Sequence, residues 1–473
     1  MTEASPNARG RTMSTAAVMA FACTHIPIAA LVLAVSVHLP QYFATHLGMS
    51  LVLVGGAFAL VRAIDIPLDP ALGLAMDKTR TRFGRFRLWI LIGAPILMLA
   101  LYVLINAPAD AGRVWLIGWL LVMYVGYSIL LLSHVAWAAT LATSYQQRSR
   151  IFGGLTVLGT AGAMAVLIIP VAMQARGATD AQGVEAMVWF IIISAPLMAA
   201  ITVWRTPETL APEHHTGFTL KDYRALLTRP NVLRLLFADL CVTLGPGWMA
   251  AVYLFYFKDS RGFDTTQANL LLLIYIAAGF AGAPFTAWLA GRISKHRALM
   301  VTTTIYSLTL ITLSILPKGE FLAAVPTMFL AGAMAAGFTV MIRAITGDIG
   351  DEIRLESGRE LMGLMYALTT ATTKLAGAAS IFLTFNVLAA VGYQAAAGAT
   401  NSADAIRGLE LAYLIGPIVF VMLGGAFFFG YRLTEARHAE IRTELEARDA
   451  LYDQAAVLQG LTGEPGHPAP EKT

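Results

Sequence analysis

Charge is what this sequence has least of. Only 13% of its 473 residues are Asp, Glu, Lys or Arg, against 57% apolar. Soluble domains carry about 25% charged residues, so a string of ordinary soluble domains is excluded. Cysteine is nearly absent: the 2 present, Cys23 and Cys241, both sit in apolar segments, which excludes a disulfide framework. The net charge of +4 is too small to suggest a basic nucleic-acid surface, and no nucleic-acid partner is expected. The 41 glycines follow no collagen period, and none forms the phosphate-binding loop of an ATP-driven machine.

Long apolar runs fill the space that charge leaves. Twelve candidate spans, each of about 20 residues and able to cross a hydrocarbon core of about 30 Å as a helix, are centred near residues 30, 62, 97, 127, 161, 194, 245, 278, 307, 334, 376 and 420. The expected fold class is therefore an all-α membrane protein, with the lipid bilayer as its first partner. Residues 1–13 are polar and lack the apolar core of a signal peptide, so the first span is expected to act as an uncleaved anchor. Basic residues resist translocation. Placing the N-terminus inside gathers Arg9, Arg11, the run from Lys78 to Arg87, Arg148, Arg150, the basic residues of 221–229 and 292–297 and the C-terminal tail on one face. The opposite face keeps only Arg113, Arg176, Lys258, Arg261, Lys318 and Arg407. An even number of spans with both termini cytoplasmic follows, and the expected location is the cell inner membrane, multi-pass.

The longest internal connection, 205–230, carries Pro207, Pro212, Pro230, His214 and His215 and one amphipathic stretch, TLKDYRALL. It divides the chain into an N-terminal six-helix bundle (1–204), a cytoplasmic linker (205–230), a C-terminal six-helix bundle (231–435) and a cytoplasmic tail (436–473). DPALGLAMDK at 69–78 echoes APFTAWLAGR at 283–292, each at the end of the second span of its half. Two repeats with a site between them near the bilayer midplane is a transporter plan.

An ionisable side chain inside a span costs at least about 2.5 kcal/mol, so those that remain carry the chemistry. Arg62, Asp65 and Asp69 stand at i, i+3 and i+7 and share one helix face. Two carboxylates a turn apart repel each other and call for a cation: Na⁺, a proton or a basic side chain, with Arg62 and Lys374 as candidates. A static salt-bridged cluster is the plainer alternative. His25, Ser133, His134, Tyr124, Tyr127 and Trp137 offer neutral hydrogen bonds and aromatic faces to a substrate cavity, although such residues also bond neighbouring helices or sit in interfacial belts. Asp239 is a structural, gating or substrate contact, and Gly245-Pro246-Gly247 beside it can break or bend the seventh span. No catalytic residues are expected: the histidines at 25, 38, 46 and 134 are too dispersed for an enzyme site, and a membrane-embedded enzyme is the remote alternative.

DIPLDP at 65–70, continuing through GLAMDKTRTRFGRFRLWILIGAP to residue 95, resembles the second-span and loop signature of the glycoside-pentoside-hexuronide:cation symporters, the melibiose permease-like group of the major facilitator superfamily. YFATHLGMS at 42–50, HVAWAATLATSYQQRSRIFGG at 134–154, GDIGDEIRLESGRE at 347–360 and the Lys374 segment ending in VGY at 391–393 extend the similarity to about residue 435. The resemblance implies twelve helices in two pseudo-symmetric six-helix bundles. It implies a secondary transporter, not an enzyme, that carries a sugar or glycoside with a coupling H⁺ or Na⁺ and needs no cofactor. It makes Asp65 and Asp69 the cation-binding pair, with Na⁺ the candidate metal, and Arg62 and Lys374 their charge network. It also implies a cytoplasmic gate of Asp77, Arg85, Arg148, Asp348, Asp351 and Glu352, the acidic loop pairing with Arg148, Arg150 or the 80–87 run. Where the sugar permeases place acidic residues in the first and fourth helices, this chain has Ala29 and Ser133. A non-sugar or amphiphilic, lysolipid-like solute is the alternative cargo, and the serine at 133 favours H⁺ over Na⁺.

Overall fold

In a computed structural model of the chain, the described residues are 13–79, 81–108, 111–141, 145–206, 208, 220–359 and 361–462. They contain helices and no strand. Twelve helices are long and apolar enough to cross a membrane. They are α1 (Thr15–Thr45), α2 (Leu51–Lys78), α3 (Phe86–Ile105), α4 (Arg113–Leu141), α5 (Tyr145–Gln174) and α6 (Asp180–Arg205), then α8 (Pro230–Ser260), α9 (Thr265–Ile293), α10 (Lys295–Ile315), α11 (Phe321–Ser357), α12 (Met362–Ala390) and α13 (Ala403–Ala426). A short α7 (Leu220–Leu227) lies in the linker and α14 (Glu435–Thr462) in the tail. Only helices satisfy every backbone group internally where water is absent, which is why the apolar runs and the helices coincide.

Helices within a half pack closely because small residues let backbones meet. Gly162 of α5 lies against the Ile26 carbonyl of α1, and Gly332 of α11 against the Tyr275 carbonyl of α9, leaving no room for a Cβ at either. The halves meet where α2 packs along α12 and where α1 and α5 meet α8 and α9.

Two expectations about local shape are corrected. The seventh span does not break at Gly245-Pro246-Gly247: α8 runs through Pro246. The irregular turn comes later, a π-helical stretch at Tyr256–Ser260, and α1 has its counterpart at Ala34–His38. The acidic stretch at 347–360 is not a loop for most of its length. α11 continues through it to Ser357 and stops at Gly358, whose φ of 68° is left-handed.

The end of the bundle that carries Thr15, the linker and α14 is called proximal below, and the other end distal. At the proximal end the linker is tied to the first half by one carboxylate. Glu208 accepts from the backbone N–H groups of Arg85 at 2.6 Å, Phe86 at 2.8 Å and Arg87 at 3.2 Å, capping the open N-terminus of α3. Gly84, with φ of 106°, leaves the space that this carboxylate fills. α14 docks on the projecting end of α11, with Ile441 and Leu445 buried and Arg354 paired to Asp449 at 3.0 Å.

Candidate functional site

The DIPLDP segment of α2 does two things at once. Asp65 and Asp69 project from the same face, and Pro67 and Pro70 remove the N–H groups that would bond the carbonyls of Ala63 and Ile66. The helix therefore presents two carboxylates and two backbone oxygens free of their usual donors within two turns.

The structure gathers the charged side chains around Asp65, which is fully buried. Its Oδ2 accepts from Arg62 Nη1 at 3.1 Å and from Lys374 Nζ at 2.9 Å, while Oδ1 accepts from Ser128 Oγ at 2.8 Å. Lys374 also donates to Asp69 Oδ2, and Asp69 Oδ1 is buried with no partner. The Arg62 guanidinium lies 4.2 Å over the ring of Tyr124. Lys374 belongs to α12 and both aspartates to α2, so this ion pair joins the two halves of the molecule. With both carboxylates ionised, two anions face two cations and the cluster is neutral.

The oxygen set suits a small hard cation: two carboxylates, one of them with an unclaimed oxygen, and the Ser128 hydroxyl. In the arrangement seen, the ammonium of Lys374 bridges the carboxylates, so any cation entering between them has to compete with it.

The other expected substrate residues are placed differently. Ser133 is buried and spends its hydroxyl on the Ile129 carbonyl of its own helix at 2.6 Å. His134 is buried and its Nε2 bonds the Phe21 carbonyl at 2.9 Å. Trp137 is fully buried, edge-on to Phe21 with ring centroids 5.5 Å apart. His134 and Trp137 hold α4 to α1, Ser133 turns back on its own helix, and all three are corrected from cavity lining to packing inside the first half. His25 is half-buried against Gly159 of α5, its ring 6.0 Å from that of His134. Tyr127 packs edge-on to Tyr124 beside the charged cluster, with centroids 6.5 Å apart. Asp239 of α8 is buried, and its Oδ2 accepts from Thr372 Oγ1 and, at 3.3 Å, from Thr373 Oγ1, the two residues that precede Lys374 on α12.

The expected gate pairing is also corrected. Asp348 takes Lys295 Nζ at 2.6 Å; Asp351 takes His438 Nε2 at 3.0 Å; Glu352 takes Asn231 Nδ2 at 2.8 Å. All three partners come from the second half or the tail, while Arg148 and Arg150 of α5 are exposed. Arg85 meets the linker through its backbone as described. The side chain of Asp77, Arg80, and the linker histidines His214 and His215 lie outside the described residues.

Cross-half bonds concentrate instead at the distal end. Asp180 Oδ2 accepts from Lys258 Nζ at 2.5 Å and from Thr265 Oγ1 at 2.8 Å. Thr266 Oγ1 donates to Gln174 Oε1 at 2.6 Å, and His38 Nε2 meets Asn269 Oδ1 at 3.0 Å. Both π-helical turns supply one of these residues, His38 and Lys258. His46, just past the end of α1, is held below its usual pKa by burial, against the upward pull of Asp180. The molecule is thus latched at its distal end. Sequence reasoning missed this latch, since its members were counted only as sparse charges in short connections. It also missed Arg343, an arginine inside the apolar stretch TVMIRAIT of α11. A charge with about ten apolar neighbours on its N-terminal side was the signal.

The chain matches the profile of MFS_2, described as MFS/sugar transport protein, over residues 20–435. It is 27% identical over 414 residues to the lactose permease of Lactobacillus delbrueckii subsp. bulgaricus, with 82% of this chain and 65% of that protein covered, so it spans just under two thirds of that relative's length. It is 22% identical over 427 residues to the putative glycoside/cation symporter YagG of Escherichia coli, covering 88% of this chain and 91% of the relative. Among solved structures, the nucleoside transporter NupG superposes with a TM-score of 0.65 at 12% identity, covering 89% of this chain and 100% of that one, a likeness of fold alone.

Proposed function

Because the chain belongs to the MFS/sugar transport protein family, we propose that it is a secondary active transporter that couples the movement of H⁺ or Na⁺ to uptake of a sugar or glycoside. The observation that carries this reading is the Lys374 ammonium shared between Asp65 and Asp69 across the two halves. Relatives named as a lactose permease and as a glycoside/cation symporter supply the cargo and the coupling. A cation entering the Asp65 and Asp69 pair adds a positive charge to a neutral cluster, so Lys374 is the group displaced. Its release loosens the contact between α2 and α12, which is the contact that alternating access has to remodel.

In this reading residues 1–204 and 231–435 are the rocking bodies, 205–230 their linker and 436–473 a cytoplasmic tail. The proximal end faces the cytoplasm of a cell whose inner membrane holds the protein, and the state described is closed toward the outside. Coupling requires that cation and solute together favour the exchange more than either alone, because a ligand shifts an equilibrium only by its differential affinity. Uptake of labelled glycosides into proteoliposomes under imposed Na⁺ or pH gradients tests the reading. Accumulation that collapses with one gradient and not the other identifies the ion. Uptake that equilibrates without ever accumulating, whatever the gradient, overturns the symport.

A further inference from the structure

α12 carries Lys374 between two helices, α2 of the first half and α8 of its own. The two neighbours hold it differently. On the α2 side stands the ion bridge of Lys374 to Asp65 and Asp69, with Gly55 lying against Phe385 nearer the distal end. On the α8 side most of the contact is close packing: Gly247 leaves room for Ser380, and Phe255 meets Phe385 with ring centroids 6.1 Å apart. Packing of small and apolar groups sets how near two helices come. A hydrogen bond, being directional, sets the angle of a helix about its own axis more sharply.

One acid supplies such bonds. Asp239 of α8 is buried, and its Oδ2 accepts from Thr372 Oγ1 and, at 3.3 Å, from Thr373 Oγ1. A carboxyl group inside a span is costly, and this one is spent on two hydroxyls of the neighbouring helix. Past the end of α12, Tyr393 donates to Asp259, a second tie from α8 that lies at the distal end. Within the span, then, Asp239 holds α12 at the two residues that immediately precede Lys374. Successive residues of a helix are turned by about 100°, so with Thr372 and Thr373 held toward α8, Lys374 is carried round toward α2. A turn of roughly 20° moves a side-chain tip about 6 Å from the helix axis by about 2 Å. That is enough to take an ammonium out of hydrogen-bond range of a carboxylate it had bridged.

We infer that Asp239 is a positioning residue: by holding Thr372 and Thr373 it sets the rotation of α12 at which Lys374 bridges Asp65 and Asp69, and so sets how strongly that lysine competes with an entering cation. In this role Asp239 touches neither cation nor solute. Its consequence for transport rests on the symport reading, whereas the link from Asp239 to Lys374 is a property of the packed helices and is measurable without transport. Loss of the tie makes Lys374 a weaker competitor. A cation then enters the Asp65 and Asp69 pair at lower concentration, and its entry displaces less.

The full-length protein is titrated with cations while its melting temperature is followed, since an ion bound to the folded state raises it. Na⁺ is titrated against choline at fixed pH, and H⁺ by changing pH in choline; the effect assigned to the site is the part lost in Asp65→Asn/Asp69→Asn. Three variants are compared with the wild type: Asp239→Ala, Asp239→Asn, which keeps an oxygen for the hydroxyls, and Thr372→Val/Thr373→Val, which removes the same tie without changing side-chain shape. Asp239→Ala and Thr372→Val/Thr373→Val are expected to lower the half-saturating cation concentration at least about fivefold, and Asp239→Asn to stay within about twofold of the wild type. In a Lys374→Met background, Asp239→Ala is expected to shift half-saturation no further. Half-saturation unchanged in both tie-breaking variants, an equal shift in Asp239→Asn, or the same shift without Lys374 overturns the positioning role. A double-mutant cycle of Asp239→Ala with Lys374→Met on stability in choline keeps the two readings apart. Additive losses overturn the link from Asp239 to Lys374, and non-additive losses uphold it. A non-additive cycle with no cation effect that depends on Asp65 and Asp69 upholds the positioning and overturns the symport instead.

Discussion

Lys374 donates to Asp65 at 2.9 Å from the opposite half of the molecule. The two residues are 309 positions apart in sequence, and they make a buried cross-half ion pair at the middle of the bundle. A buried pair of this kind does not stabilise a fold by much on net, since desolvation offsets the attraction, but losing one partner is severe. That asymmetry suits a switch: the pair persists until another cation takes its place.

Asp65→Asn and Asp69→Asn should each abolish gradient-driven accumulation while leaving solute exchange measurable. Comparing counterflow with concentrative uptake in the same vesicles separates the two. Concentrative uptake at the wild-type rate in either variant removes these aspartates from the coupling site.

Lys374→Met should be costly only where the carboxylates remain. In the native background it strands two buried acids, and a loss of about 3 kcal/mol is expected; in Asp65→Asn/Asp69→Asn the same change should cost much less. A double-mutant cycle on thermal or denaturant stability reads the coupling. Additive losses would mean that Lys374 interacts mainly with something else.

Opening the distal latch should be easy. Lys258 and Asp180 are about one third exposed, so the pair is worth only about 1 kcal/mol after screening, and Asp180→Asn should shift the population toward the distally open state by roughly fivefold. Both native cysteines are buried, so a cysteine placed at Thr266 gives a clean signal with an impermeant thiol reagent. Labelling of Thr266→Cys no faster in the Asp180→Asn background than without it argues against a latch.

Glu208→Ala should lower the melting temperature by removing the cap from α3, a loss of about 1–2 kcal/mol. Gly84→Ala should do at least as much harm, because an added Cβ overlaps the Glu208 carboxylate and the backbone there has φ of 106°. In the double variant, Gly84→Ala should cost less than it does alone, since the carboxylate it collides with is gone. Strictly additive losses would show that only the backbone strain matters.

The sequence by itself determined that this is a twelve-span helical protein in two halves, because an apolar run of span length has no other way to satisfy its backbone in lipid. It also placed Arg62, Asp65 and Asp69 on one face, since helical period is a local property. Lys374 was singled out by its cost in a span and named with Arg62 as a candidate cation for the two carboxylates, but that it reaches both of them was not legible. What the tertiary structure decided is which polar groups meet. It turned Ser133, His134 and Trp137 into internal packing of the first half, gave the acids of α11 to Lys295, Asn231 and His438, and brought Asp180 to Lys258. Each of these depends on the rotation and depth of two helices far apart in the chain, and hydropathy fixes a helix's existence without fixing either.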